Sequence, residues 1–187
     1  MKMNHTKTLN IIQTLSKLGK IFSKIIYICC IVGFIGCAVG IVAMIVGEQT
    51  VKIGGVTLHS FLQNEAGIST GTIWSAIAVG MILCAGEFAV AKLAHRYFTH
   101  ELEAGTPFTL DGAKELLHLG ISVIWIPLAS LIVAQIAHGI IDGLMENVES
   151  MKLDGFGSVA LGVMFIFMSL LCRYGAELRE KIETPSH

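Results

Sequence analysis

Three groups of residues have the types and spacing for chemistry in this chain. The first is Glu87 with Arg173, each of which interrupts an apolar run. An ionised side chain at the middle of a membrane-spanning helix costs about 3 kcal/mol to insert, so such a residue is a functional candidate by default. Glu87 lies about four residues, roughly 6 Å, inside the end of its run, and Arg173 lies at a similar depth in the last run. An ion pair between them would satisfy both charges; an unpaired Glu87 would be a proton or substrate site. The second group is Gln135, His138 and Asp142, whose i, i+3, i+7 spacing places them on one helix face. That face suits hydrogen bonds between helices or a polar pathway entered from one membrane surface. The third group is the seven histidines, which raise the question of a b-type haem held by two facing imidazoles at equal depth. His95 with His118, and His59 with His138, are the pairs at comparable depth, yet each lies at or beyond an interface. No cofactor is therefore expected. The five cysteines lie in apolar runs without a C-x-x-C pair, so no metal is expected either. No Ser-His-Asp order, H-E-x-x-H, P-loop or dinucleotide fingerprint occurs, and the expectation is a protein that is not an enzyme.

The elements that must position these residues follow from composition. Of 187 residues, 53% are hydrophobic and 14% charged, against about 25% charged in soluble domains. Runs at 25–46, 73–91, 119–141 and 156–175 each meet the need for about 20 apolar residues per span. The expected fold is one all-α domain over 1–187 with four transmembrane helices. The first run is longer than a signal-peptide core, and FIGC at 34–37 departs from a lipoprotein box at Phe34, so a retained helix is expected. Eleven of the thirteen Lys and Arg lie before the first run, between the second and third, or at the end of the fourth. Only Lys52 and Lys152 fall in the other two loops. The positive-inside rule then predicts cytosolic termini and a cytosolic segment 92–118. A net charge of −1 gives no ground for direct nucleic-acid binding.

Smaller features refine this picture. Ile12, Leu15, Leu18, Phe22 and Ile25, with lysines between them, predict an amphipathic helix over about 9–24 that lies against anionic headgroups and runs into the first span. Gly33, Gly36, Gly40, Ala43 and Gly47 form a small-residue stripe, and Ala76, Gly80, Cys84, Glu87 and Ala91 form a second. Small residues let helices approach where no hydrophobic force draws them together in lipid. The two stripes are expected to pack against each other, which turns Glu87 inward. VKI-GG-VTL predicts a small extracytosolic β-hairpin in the first outer loop, with a helical turn at SFLQNE after it.

The polar segment HELEAGTPFTLDGAKELLHLG, 100–120, carries its own punctuation. Helical character persists from the second span to Ala104; Gly105 suits a left-handed stop and Pro107 forbids continuation. Thr109 is a natural N-cap, with Asp111 in the first turn of the helix that leads into the third span. The prediction is a helical hairpin over about 92–118 that projects both helices beyond the membrane. Its polar face and tip, His100, Glu103, Gly105, Pro107, Phe108, Thr109, Asp111, Lys114, Glu115 and His118, form the expected partner-binding surface.

Gly105, Pro107, Phe108 and Thr109, together with Tyr174, Gly175, Glu177 and Leu178, match a G-x-P-F-[ST] turn and an aromatic-Gly-x-Glu-Leu run. In these motifs the chain resembles the bacterial four-span membrane proteins catalogued as domain of unknown function 2975. The resemblance implies a bacterial cytoplasmic membrane and a four-span fold, but no activity. Members often sit beside a small helix-turn-helix regulator, which implies a regulatory pairing. The tail IETPSH is less acidic than that of many members. Besides the lipid bilayer, the expected partner is a cytosolic regulator or a membrane protein, with a second copy of the chain left open. The alternative is a small proton-coupled transporter, or an efflux or immunity-type protein, working through Glu87, Gln135 and His138.

Overall fold

The computed structural model describes residues 2–46, 52–53, 56–57, 69–106, 108–145, 148–149 and 156–183. The helices are α1 (Lys2–Val46), α2 (Thr70–Ala104), α3 (Leu110–Leu144) and α4 (Phe156–Glu183), with two-residue strands β1 (Lys52–Ile53) and β2 (Val56–Thr57) after α1. The strands pair antiparallel, Lys52 with Thr57 and Ile53 with Val56. Gly54-Gly55 and the SFLQNE stretch lie outside the described residues. All four helices are long and apolar enough to cross a membrane. At 1.5 Å per residue, the 35 residues of α2 and of α3 each reach about 52 Å, well beyond the roughly 30 Å of a hydrocarbon core. Much of the outward surface is apolar, as at Trp125, Ile136 and Phe167. Such surface on four long apolar helices suits a multi-pass membrane protein.

The chain divides into two compact units. The first holds Met1–Tyr27, Phe88–Pro127 and Gly155–His187; the second holds Ile28–Glu87 and Leu128–Asp154. In the second unit, small residues set the approach of α1 to α2. A Cβ at Gly33 would stand 3.1 Å from Cys84 Sγ, one at Gly40 would stand 3.2 Å from Ile77, and one at Gly80 would stand 3.4 Å from Cys37 Sγ. Of the two expected stripes, Gly33 meets Cys84 directly, Gly40 and Gly80 take side chains beside the opposite stripe, and Ala43 and Ala91 are buried. Gly36 has open space where its side chain would be, and Ala76 and Glu87 are exposed. The second unit also caps α2: Thr72 N–H donates to Ser69 Oγ (3.2 Å), and Thr72 Oγ1 accepts from Glu149 N–H (3.0 Å).

In the first unit the α1 segment is one piece with the rest of α1, without a break between the amphipathic stretch and the first apolar run. Its inward face is small and polar. Ser16 and Ser23 are buried, whereas Leu15 and Phe22 are 68% and 58% exposed. Against α2, Gly19 admits the ring of Phe98, Tyr27 stacks on Phe88 at 4.6 Å, and His95 Nδ1 reaches the Lys20 carbonyl at 3.4 Å. The Ser16 and Tyr97 hydroxyls donate to the Glu101 carboxyl. The core of this unit is Tyr97, Ala113, Leu116, Leu119, Val123 and Cys172.

Two contacts bring α4 to α3 in the same unit. Ser169 Oγ donates to the Ala113 carbonyl at 2.6 Å. At Gly120 and Gly162 the backbones meet: a Cβ at Gly162 would stand 2.8 Å from Gly120 O, and one at Gly120 would stand 3.0 Å from Gly162 O. Both glycines lie inside helices, where Gly costs about 1 kcal/mol relative to Ala. Close passage of two helices is the reason such a residue stands there.

Candidate functional site

The turn between α2 and α3 is built as a stop, a link and a cap. Gly105 takes φ +70°, and its N–H donates to Glu101 O at 3.1 Å, ending α2. A residue with a Cβ pays about 1 kcal/mol in that left-handed region. Gly105→Ala is accordingly expected to lower stability by about 1 kcal/mol, read from thermal unfolding in detergent. Thr106 Oγ1 accepts from Phe108 N–H at 3.3 Å. Thr109 Oγ1 then accepts from Gly112 N–H at 3.0 Å, the bond of an N-cap to the third helical residue. Pro107 lies outside the described residues.

Beyond the turn, His100 on α2 and Glu115 on α3 join the two helices. His100 Nδ1 lies 2.9 and 3.1 Å from the two Glu115 carboxylate oxygens. Asp111 and Lys114, both exposed, approach only to 3.8 Å. Exposed pairs of this kind contribute little to stability, about 0.2–1 kcal/mol, so their value lies in fixing the surface. Glu103 and His118 are exposed. Alongside these charges Phe108, Leu110 and Leu117 remain about 40% exposed. Phe108 is also held from the other side, since a Cβ at Gly175 on α4 would stand 2.7 Å from its ring. The two motif segments of the sequence, one around Phe108 and the other around Gly175, thus touch.

Next to this surface, between α2 and α3, runs a groove of about 270 Å³ lined by Leu93, Arg96, Tyr97, Lys114, Glu115, His118 and Leu119. Of this lining, Lys114, Glu115 and His118 are legible in the sequence as a polar face, whereas Arg96 reads there as part of the topology signal. The signal available was the i, i+3, i+4 spacing of Leu93, Arg96 and Tyr97, which puts cation and apolar wall on one face.

Arg173 Nε donates to Glu177 Oε1 at 3.0 Å, an exposed i,i+4 pair on its own helix. Glu87 is exposed rather than turned inward. The reason is helical drift. The α1-facing stripe of α2 steps from Cys84, which meets Gly33, to Phe88, which meets Tyr27, and passes over Glu87. Of the polar face on α3, Gln135 and Asp142 are exposed, while His138 Nδ1 shares a 2.6 Å hydrogen bond with Ser75 Oγ on α2. Ser75 is fully buried, so this bond closes a helix–helix contact. The sequence shows nothing that would single out Ser75.

Among the described residues, no group of three or more His, Cys, Asp and Glu side chains is arranged to hold a metal ion. His95 is directed to the Lys20 carbonyl and His118 to the groove, while His59 lies outside the described residues. Comparison of the chain with protein-family models, curated proteins and solved structures finds no match.

Proposed function

We propose that this is a non-enzymatic, multi-pass protein of a bacterial cytoplasmic membrane that docks a cytosolic regulator or a membrane-protein partner through the α2–α3 hairpin. The proposal takes both termini and the hairpin as cytosolic, on the distribution of Lys and Arg. The observation that carries it is the preorganised tip. Gly105, Thr109 and the His100–Glu115 link hold the turn, while Phe108, Leu110 and Leu117 stay exposed beside Asp111, Lys114 and His118. Apolar side chains exposed beyond the apolar runs, on a rigid support, suit a contact surface that loses little entropy on binding. Membership in the family resembled is part of the same proposal and rests on the two motif segments.

The test is a pull-down of the full chain from detergent-solubilised membranes. Replacing Leu110, Lys114, Leu117 and His118 with Ser or Ala is expected to remove most of the co-purifying protein while the chain still folds. Recovery of the same proteins at the same yield would sink the docking reading. A transport reading through Glu87, Gln135 and His138 has no comparable support, because two of the three are exposed and the third is engaged with Ser75.

A further inference from the structure

The groove between α2 and α3 carries an assignment of its own. Its cationic members are Arg96 on α2 and Lys114 on α3, with the His118 imidazole as a further donor on α3. Among the described residues no side chain approaches Arg96 as an ion-pair partner, and Lys114 has only the loose 3.8 Å approach of exposed Asp111. The one carboxylate in the lining, Glu115, is engaged by His100. The remaining wall is Leu93, Tyr97 and Leu119. In chain order the groove begins just past the apolar run that ends at Ala91 and closes at Leu119, where the next run starts. A cationic rim over an apolar wall, at the border of two spans, matches a molecule with an anionic head and an apolar tail.

We infer that this groove binds the phosphate headgroup of an anionic glycerophospholipid. Arg96 and Lys114 contact the phosphate, and the glycerol and upper acyl carbons lie against Leu93. Arg offers a fork that matches phosphate oxygens, and Lys adds a point charge. Basic pockets between membrane helices recognise lipid headgroups by this combination. A free phosphate ion shares the charge but makes no use of the apolar wall, which is why the lipid is the assigned occupant. The inference rests on the membrane placement proposed above but not on the docking of a protein partner.

Native mass spectrometry of the full chain, purified in detergent and titrated with lipid, tests it. Phosphatidylglycerol is expected to bind about tenfold more tightly than phosphatidylcholine. Arg96→Gln and Lys114→Gln should each weaken phosphatidylglycerol about fivefold, the effect of losing one cation near an anionic surface. Either variant alone suffices if the other fails to fold. Lys181→Gln, which removes an exposed lysine of α4 in the same unit, should leave binding unchanged. Equal binding of the two lipids, or equal weakening by the Lys181 control, overturns the assignment. Displacement of the lipid by millimolar inorganic phosphate overturns it too, in favour of an ion site. Loss of lipid binding in Arg96→Gln with the pulled-down proteins retained separates this groove from the docking surface, to which Lys114 also belongs.

Discussion

Replacing Gly162 with valine is expected to lower stability by about 3 kcal/mol, enough to compromise the folded, monodisperse protein. Gly162 is buried, and its missing side chain is the space through which α4 passes α3. Even a Cβ there would stand 2.8 Å from the Gly120 carbonyl oxygen and press against Ile124. Backbone cannot rotate away as a flexible side chain can, so the helices must separate along the crossing. Separation also strains the nearby Ser169 to Ala113 hydrogen bond, a buried link between the same two helices. Overpacking of a tight contact costs about 1–3 kcal/mol, occasionally more, and a backbone collision belongs at the upper end. Thermal unfolding in detergent and size-exclusion behaviour read the effect. The paired control is Gly36→Ala, at a glycine with open space around it. That change should be neutral or stabilise by up to about 1 kcal/mol, because Ala is the better helix former. A Gly162→Val variant that melts with the wild type would refute the crossing.

The second large effect is expected where α4 meets the turn. Gly175→Val should displace Phe108, whose ring lies 2.7 Å from the position of the new Cβ. Phe108→Ala empties the same space from the other side. Made singly, each should loosen the turn; made together, they should cost less than their sum, because the truncated ring no longer collides with the valine. Contacting residues typically show couplings of about 0.5–3 kcal/mol, and a value near 1 kcal/mol in a double-mutant cycle is expected here. Protection of the Thr109–Ala113 amides from hydrogen exchange is the local readout, since the cap and first turn of α3 lie there. Additive effects would show that Phe108 and Gly175 are neighbours without being partners.

These two glycines show what could be read in advance and what could not. Gly175 was legible as a motif position, but its neighbour lies far away in sequence. Gly120 and Gly162 each stand within an apolar run, and an interior helix glycine is a mark of close approach, yet nothing in the chain pairs one with the other. The stripes on α1 and α2 were legible in part: Gly33 meets Cys84, and Ala43 and Ala91 are buried. Beyond Cys84 the stripe advanced by four residues instead of three, and that one residue moved Glu87 from the seam to the outside.

By itself the sequence determined the local chemistry: four helices long and apolar enough to cross a membrane, a left-handed stop at Gly105 and a cap at Thr109. Those features depend on a residue's own backbone preference or on neighbours within a turn or two, so a linear reading reaches them. Only the tertiary structure decided which faces meet: small and polar residues of α1 inward with Leu15 and Phe22 outward, His138 on Ser75, Arg96 across from Lys114, and Gly120 against Gly162. In lipid an apolar side chain gains little by turning inward, so hydrophobicity does not mark the packed face. Close backbone approach and single hydrogen bonds mark it instead, and both are properties of pairs.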